Sequence, residues 1–218
     1  KNAFAAIAAL FMALQTTVAI AAVGATKHNL GYFSRYTVYT KEDPIKGYTS
    51  TSTTEICIFC HTPHNPLPSE GMWNHAIPAS TYNPYASATL EATRSPNPPL
   101  GQPTGSSKLC LSCHDGTIAM GSLLNMPGTR PSPGTLAVTG PGVTAGKFVA
   151  ASASYLGTEL GDDHPISFSY SLSYPSNTEM KATALPATVP LSFTPNTVKL
   201  DLNGKVQCTS CHDPHGST

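Results

Sequence analysis

The chain carries C-x-x-C-H three times: Cys57-Ile58-Phe59-Cys60-His61, Cys110-Leu111-Ser112-Cys113-His114 and Cys208-Thr209-Ser210-Cys211-His212. All six of its cysteines lie in these segments. The pattern is the attachment signature of c-type haem. Each cysteine pair takes up the two vinyl groups as thioethers, and the adjoining histidine reaches the iron as proximal ligand. There are eight histidines in 218 residues. At that frequency, three hits directly after three CxxC pairs arise by chance about once in 20,000 chains.

Other uses of CxxC fit less well. A tetrahedral zinc site takes four ligands, so three pairs give one site and a stranded half unless histidines join in. A thioredoxin-like site needs one CxxC within a βαβ context, and no such alternation is visible. A disulfide closed within CxxC is strained and redox-active rather than structural.

Residues 1–25 read as a secretory signal. Lys1 is a single-charge start, Ala3 to Ile20 is mostly apolar with Gln15, Thr16 and Thr17 inside it, and Val23-Gly24-Ala25 fits a small-residue cleavage site. The competing reading is a retained membrane anchor, since no charge falls between Lys1 and Lys27 and a span needs about 20 apolar residues. Either way the chain is exported: extracellular or at the cell surface, or alternatively periplasmic. Haem attachment also takes place outside the cytoplasm.

Residues 26–218 are read as one tri-haem domain, with roughly 64 residues wrapping each cofactor. Hydrophobic residues make up 40% and charged residues 11%, with 20 prolines and 17 glycines; ordinary domains have about 45–50% and 25%. Such a composition borders on disorder. Covalently fixed porphyrins supply the missing apolar mass. The expected fold is therefore a mostly irregular, loop-rich cytochrome, with few short helices and β-hairpins wrapped around a stacked haem core. Formal side-chain charge is zero. Loss of Lys1 with the signal leaves 11 basic against 12 acidic side chains. Six propionates and three irons, each carrying one positive charge when ferric, then bring the expected holoprotein to about −4 oxidised and about −7 reduced. No basic run with interleaved aromatics points to nucleic acid.

Local patterns predict a strand at Tyr32–Tyr39, a second at the alternating Ser167–Tyr174, and a helix from Lys108 to Leu124. They also predict a hairpin through Asn203-Gly204 with a type I′ turn. One echo stands out. Cys-x-x-Cys-His-x-Pro-His occurs at Cys57–His64 and again at Cys208–His215, but not at the second motif.

Once His61, His114 and His212 are taken as proximal ligands, five histidines remain for the far side of three irons: His28, His64, His75, His164 and His215. Low-spin electron-transfer haem takes a second His or Met. His64 and His215 lie three residues past a proximal histidine, too near to cross the rim of their own porphyrin. Each is placed to reach a different haem, the link being stiffened by Pro63 or Pro214. His164 precedes Pro165 on a loop, and His28 lies near the expected mature terminus. His75 follows Trp73, a residue expected to pack on a porphyrin face.

The segments Glu55–Asn65, Cys110–Gly116, Asp163-His164-Pro165 and Cys208–Gly216 resemble the small extracellular multihaem c-type cytochromes, a group that includes filament-forming cytochrome nanowire subunits. The resemblance implies bis-His haems, little regular secondary structure and a continuous haem chain. It also implies a homopolymer with haem contacts between subunits, in which His64 ligates a haem of the neighbour. Redox partner proteins or an extracellular acceptor would complete the path. The sequence thus points to electron transfer rather than catalysis, in a filament or as a periplasmic shuttle or donor subunit. A multihaem reductase needs an open iron position, and here histidines outnumber the sites.

Overall fold

The computed structural model describes residues 21–24, 26–31, 47–67, 71–94, 96–128, 132–173 and 199–216. Among the described residues regular structure is sparse and every element is short. Helices are α1 (Ala21–Gly24), α2 (Gly105–His114), α3 (Tyr170–Ser173) and α4 (Cys208–Cys211), with 3₁₀ turns at Cys57–Phe59 and Glu91–Thr93. Among the described residues no helix is long and apolar enough to cross a membrane. Eight two-residue strands form four separate antiparallel pairs: β1 (Thr49–Ser50) with β4 (Val138–Thr139), β2 (Ser122–Leu123) with β3 (Gly134–Thr135), β5 (Val143–Thr144) with β6 (Lys147–Phe148), and β7 (Phe168–Ser169) with β8 (Lys205–Val206). Most of the chain's shape is thus set by side-chain hydrogen bonds and by its turns.

Three local expectations are corrected. The helix of the second motif begins at Gly105 and ends at His114, not Leu124. Gly116 adopts φ +69°, the left-handed conformation that closes helices, and its N–H donates to the Cys113 carbonyl at 3.3 Å. The alternating Ser167–Tyr174 segment is not one strand. Ser167 takes φ +60°, two residues pair as β7, and the chain then turns into α3. The hydroxyl of Ser167 is engaged by Thr104 N–H (3.0 Å) and by Gln207 Oε1 (2.8 Å), which holds that residue out of strand geometry. At Asn203-Gly204, only Gly204 of the turn has positive φ (+69°). Its N–H donates to the Asp201 carbonyl at 3.0 Å, and Asp201 Oδ1 accepts the N–H groups of Asn203 (2.8 Å) and Lys205 (2.9 Å). The turn is organised by the carboxylate rather than by the I′ pair. The predicted strand Tyr32–Tyr39 lies outside the described residues, as does nearly all of the expected signal.

The polypeptide also has an apolar core of its own. Phe59, Met120, Leu123, Leu136, Val138 and Phe148 form one buried cluster, flanked by Ile58, Cys60 and Cys113 of the first two motifs. A smaller cluster joins Tyr82, Leu111 and Leu160. Each of the two clusters thus includes or abuts residues of the C-x-x-C-H segments.

Candidate functional site

Two buried polar knots hold the three motifs together. The first centres on Asn74, which is fully buried. Its Nδ2 donates to the carbonyls of Ile58 (2.8 Å) and Asn125 (3.0 Å), and its Oδ1 accepts from the N–H (2.9 Å) and Nδ2 (3.0 Å) of Asn125. The first motif is thereby tied to the loop that follows the second. The other knot joins α2 to α4. Ser107 Oγ donates to Gln207 Oε1 (2.6 Å) and accepts the Cys208 N–H (3.0 Å), while Gln207 Nε2 donates to Asp201 Oδ2 (2.7 Å). Gln207 N–H in turn donates to Ser210 Oγ at 2.9 Å, starting the helix of the third motif. None of these knot residues stood out in the sequence. Asn and Gln carry no periodic signal, and their role depends on what closes over them.

All six cysteines are free thiols: Cys57 and Cys211 exposed, Cys60, Cys110, Cys113 and Cys208 partly covered. Burial, aided by Cys57, pushes the Cys60 thiol up to about 11. Cys110 and Cys208 line one cavity. Their mutual influence is the chief cause that holds the Cys110 thiol up and pulls Cys208 down. Among the described residues no group of three His, Cys, Asp or Glu side chains is gathered to hold a metal ion.

The histidines are arranged in pairs. His61 of the first motif faces His215 with ring centroids 6.1 Å apart and planes 15° from parallel. His212 of the third faces His164 at 6.4 Å and 14°. His114 of the second faces His28 at 6.3 Å, with the planes turned by 64°. Each pair thus joins one motif histidine to one lying outside every C-x-x-C-H segment. His215 reaches the first motif rather than its own. The rings are too far apart for their atoms to touch face to face. Two metal–nitrogen bonds of about 2.0 Å, with about 1.1 Å from each nitrogen to its ring centre, give about 6.2 Å between centroids.

Two of the pairs adjoin. A cavity of about 700 Å³ is lined by His114 and His28, by His212 and His164, and by Cys110 and Cys208; cofactor sites commonly span about 300–1,000 Å³. His114 has its ring fixed, its Nδ1 bonded to the Ser154 carbonyl at 2.8 Å, which leaves Nε2 free. Burial lowers its pKa, partly opposed by that bond. His61 is lowered by burial and by the neighbouring His215. Beside His61, Trp73 stands edge-on at 6.1 Å. Its Nε1 is buried without a partner, so the site lacks an acceptor that such a donor ordinarily has.

The last two candidates sit apart from the pairs. His75 is wholly enclosed, with Nδ1 2.8 Å from the Ala76 carbonyl, Nε2 2.9 Å from the Ala119 carbonyl, and Cys113 Sγ 3.6 Å from Nε2. His64 is exposed. Its backbone is clasped by Thr62, whose hydroxyl donates to the His64 carbonyl at 2.9 Å, and its ring pairs with no motif histidine among the described residues.

No protein-family model matches the chain, and no curated protein matches it significantly.

Proposed function

We propose that the chain is a tri-haem c-type cytochrome that carries electrons along closely spaced bis-histidine haems, as a subunit of an extracellular cytochrome filament. The observation that carries the proposal is the three-fold repetition of one spacing. Every C-x-x-C-H histidine has a second histidine 6.1–6.4 Å away, centroid to centroid. A structural histidine has no reason to recur at that separation, whereas an iron with two imidazoles requires it.

The residues fit the group. Cys57 and Cys60 would anchor the first haem between His61 and His215. Cys110 and Cys113 would anchor the second between His114 and His28, and Cys208 and Cys211 the third between His212 and His164. Cysteines not taken up in disulfides, a cavity shared by the second and third sites, and an unpaired Trp73 N–H suited to a propionate support the fit. When bound, haem supplies reversible one-electron chemistry at iron. The chain's part would be to offer each haem two histidines, to hold the imidazoles still, and to keep the sites close enough for electrons to pass between them. With two histidines supplied to each haem, electron transfer would be favoured over catalysis, which needs an open iron position.

The filament reading draws on His64, which is exposed like His28, His164 and His215 but faces no motif histidine among the described residues, and so is left over for a contact with a neighbouring subunit. A soluble periplasmic shuttle, or a donor subunit to a larger oxidoreductase, is the second reading. It is favoured by the fact that the chain provides all three second histidines itself. Alkaline pyridine spectra and low-temperature EPR of the secreted protein test the common core. Three c-type haems per chain, all low-spin, are expected; zinc in place of haem, or a high-spin majority, would exclude it. Negative-stain electron microscopy then separates filaments from discrete particles.

A further inference from the structure

The residue directly after each motif histidine performs the same backbone task. Thr62 Oγ1 accepts the N–H of His64 at 3.4 Å, Asp115 Oδ1 that of Thr117 at 2.8 Å, and Asp213 Oδ1 that of His215 at 2.9 Å. A side-chain oxygen bonding the N–H two residues on mimics a backbone turn. The three turns differ in what they deliver. After Asp115 the chain re-enters the core, where Asp115 Oδ2 takes the Tyr82 hydroxyl at 2.6 Å. After Thr62 the hydroxyl clasps His64 by both its N–H and its carbonyl, and the ring faces solvent. After Asp213 a complete β-turn forms, closed by Gly216 N–H on the Asp213 carbonyl at 3.1 Å. Asp first, Pro second and Gly fourth are the residues that the commonest β-turn prefers. Only this turn ends on a histidine that faces the histidine of another motif.

The carboxylate does more than cap the turn. Asp213 Oδ1 lies 3.9 Å from His215 Nδ1, with both side chains open to solvent. Among the described residues no other histidine has a carboxylate within 4.0 Å. The second histidines of the other two sites contrast with this: His164 Nδ1 lies 3.4 Å from the Pro165 carbonyl, and no hydrogen bond or ion pair holds the ring of His28 among the described residues. A carboxylate hydrogen-bonded to the other nitrogen of a ligating imidazole fixes its orientation and makes it a stronger electron donor. At 3.9 Å the Asp213 carboxylate falls short of that bond and acts on the His215 ring as a nearby negative charge, while its bond to the His215 N–H fixes the backbone that carries the ring. A stronger donor stabilises ferric over ferrous iron and lowers the reduction potential.

We infer that Asp213 is the positioning residue of the first-motif site: its carboxylate holds His215 across to His61 and lowers the reduction potential of the haem placed between them. This rests on the haem reading above. The shared Thr/Asp position, hidden inside two copies of C-x-x-C-H-x-P-H, would then separate a histidine kept within the chain from one turned outward.

The experiment uses the full secreted chain with Asp213→Asn, Asp213→Ala and, as control, Thr62→Ala. Spin state is read by EPR and absorbance, and potentials by spectroelectrochemical titration. Asp213→Asn retains an oxygen for the His215 N–H, so three low-spin haems are expected, with one potential shifted upward and two unmoved. Asp213→Ala removes the cap, and one haem of three is expected to turn wholly or partly high-spin and to return to low-spin on adding free imidazole. Thr62→Ala is expected to leave all three unchanged. The two intact haems serve as the internal check on folding. Three low-spin haems with wild-type potentials in both Asp213 variants overturn the inference. Loss of low spin in Asp213→Ala without any shift in Asp213→Asn upholds the positioning role and overturns the electronic one. Absence of c-type haem from the wild-type protein overturns the haem reading, and this inference with it.

Discussion

His75 is enclosed completely, with a carbonyl oxygen at each ring nitrogen. Only an imidazolium could donate to both, yet burial opposes the charge and is the larger effect, so its pKa lies below the ordinary value of 6.5. A base whose folded pKa is depressed binds fewer protons folded than unfolded. Its contribution to stability is fully present above about pH 6.5 and is lost as pH falls through the folded value. His75→Gln should therefore melt below wild type at pH 7.5, and the gap should narrow in acid; thermal melts from pH 7.5 to 4.5 read this directly, and a constant gap would contradict it. Asn74 has the opposite character, a buried amide with every bond satisfied. Asn74→Ala strands the Ile58 carbonyl and the Asn125 donors, and should cost about 2–4 kcal/mol in denaturant unfolding, since each orphaned buried group costs about 1–3 kcal/mol. A loss under 1 kcal/mol would mean that water replaces the amide.

At the scale of elements, the end of α2 sets where His114 points. Gly116 stands at φ +69°, and a Cβ there would lie 2.5 Å from the Phe148 carbonyl and 2.6 Å from the Tyr155 ring. Gly116→Ala should destabilise the protein by about 1–3 kcal/mol through backbone strain alone, with more from the clash. Gly101→Ala, where the added Cβ meets nothing within 4 Å, should be near neutral; comparable melting temperatures for the two variants would contradict this reading. The helix around the second motif was visible from residue pattern, but its end was not. Gly116 and Gly121 could have been tolerated inside a helix; the positive φ of Gly116 ends it, and the approach of Phe148 and Leu136 from elsewhere in the chain leaves no room for a side chain at either glycine. The same limit explains Ser167–Tyr174. Alternation predicts a strand, but the only strand that pairs with it, β8, has two residues, and the Ser167 hydroxyl is claimed by Thr104 and Gln207. Short covalent motifs were legible because spacing along the chain defines them. Partners distant in sequence were not, and neither was the division of five spare histidines into three that face a motif histidine, one buried and one that faces none.

For the whole molecule, the decisive property is how many second histidines the chain supplies to itself. His28, His164 and His215 each face a different motif histidine, so under the proposed tri-haem function replacing any one of them by Ala should convert one haem of three to high-spin and leave two unchanged, as read by EPR. His64 differs in kind. Exposed and facing no motif histidine, it should be silent in that assay, and His64→Ala should keep three low-spin haems in the isolated chain. A subunit whose three sites are internally paired can use His64 only on an iron that lacks a second ligand of its own, or on a surface contact without iron. A head-to-tail contact that does not close produces a filament, and removal of the residue that makes it should leave competent monomers. The expected result for His64→Ala is therefore loss of filaments in electron micrographs with unchanged spectra. Filaments of normal length would move His64 out of the joint. Loss of one low-spin signal in wild-type filaments after dissociation, restored on reassembly, would instead show that one of the three pairs opens in solution and that His64 of a neighbour completes it.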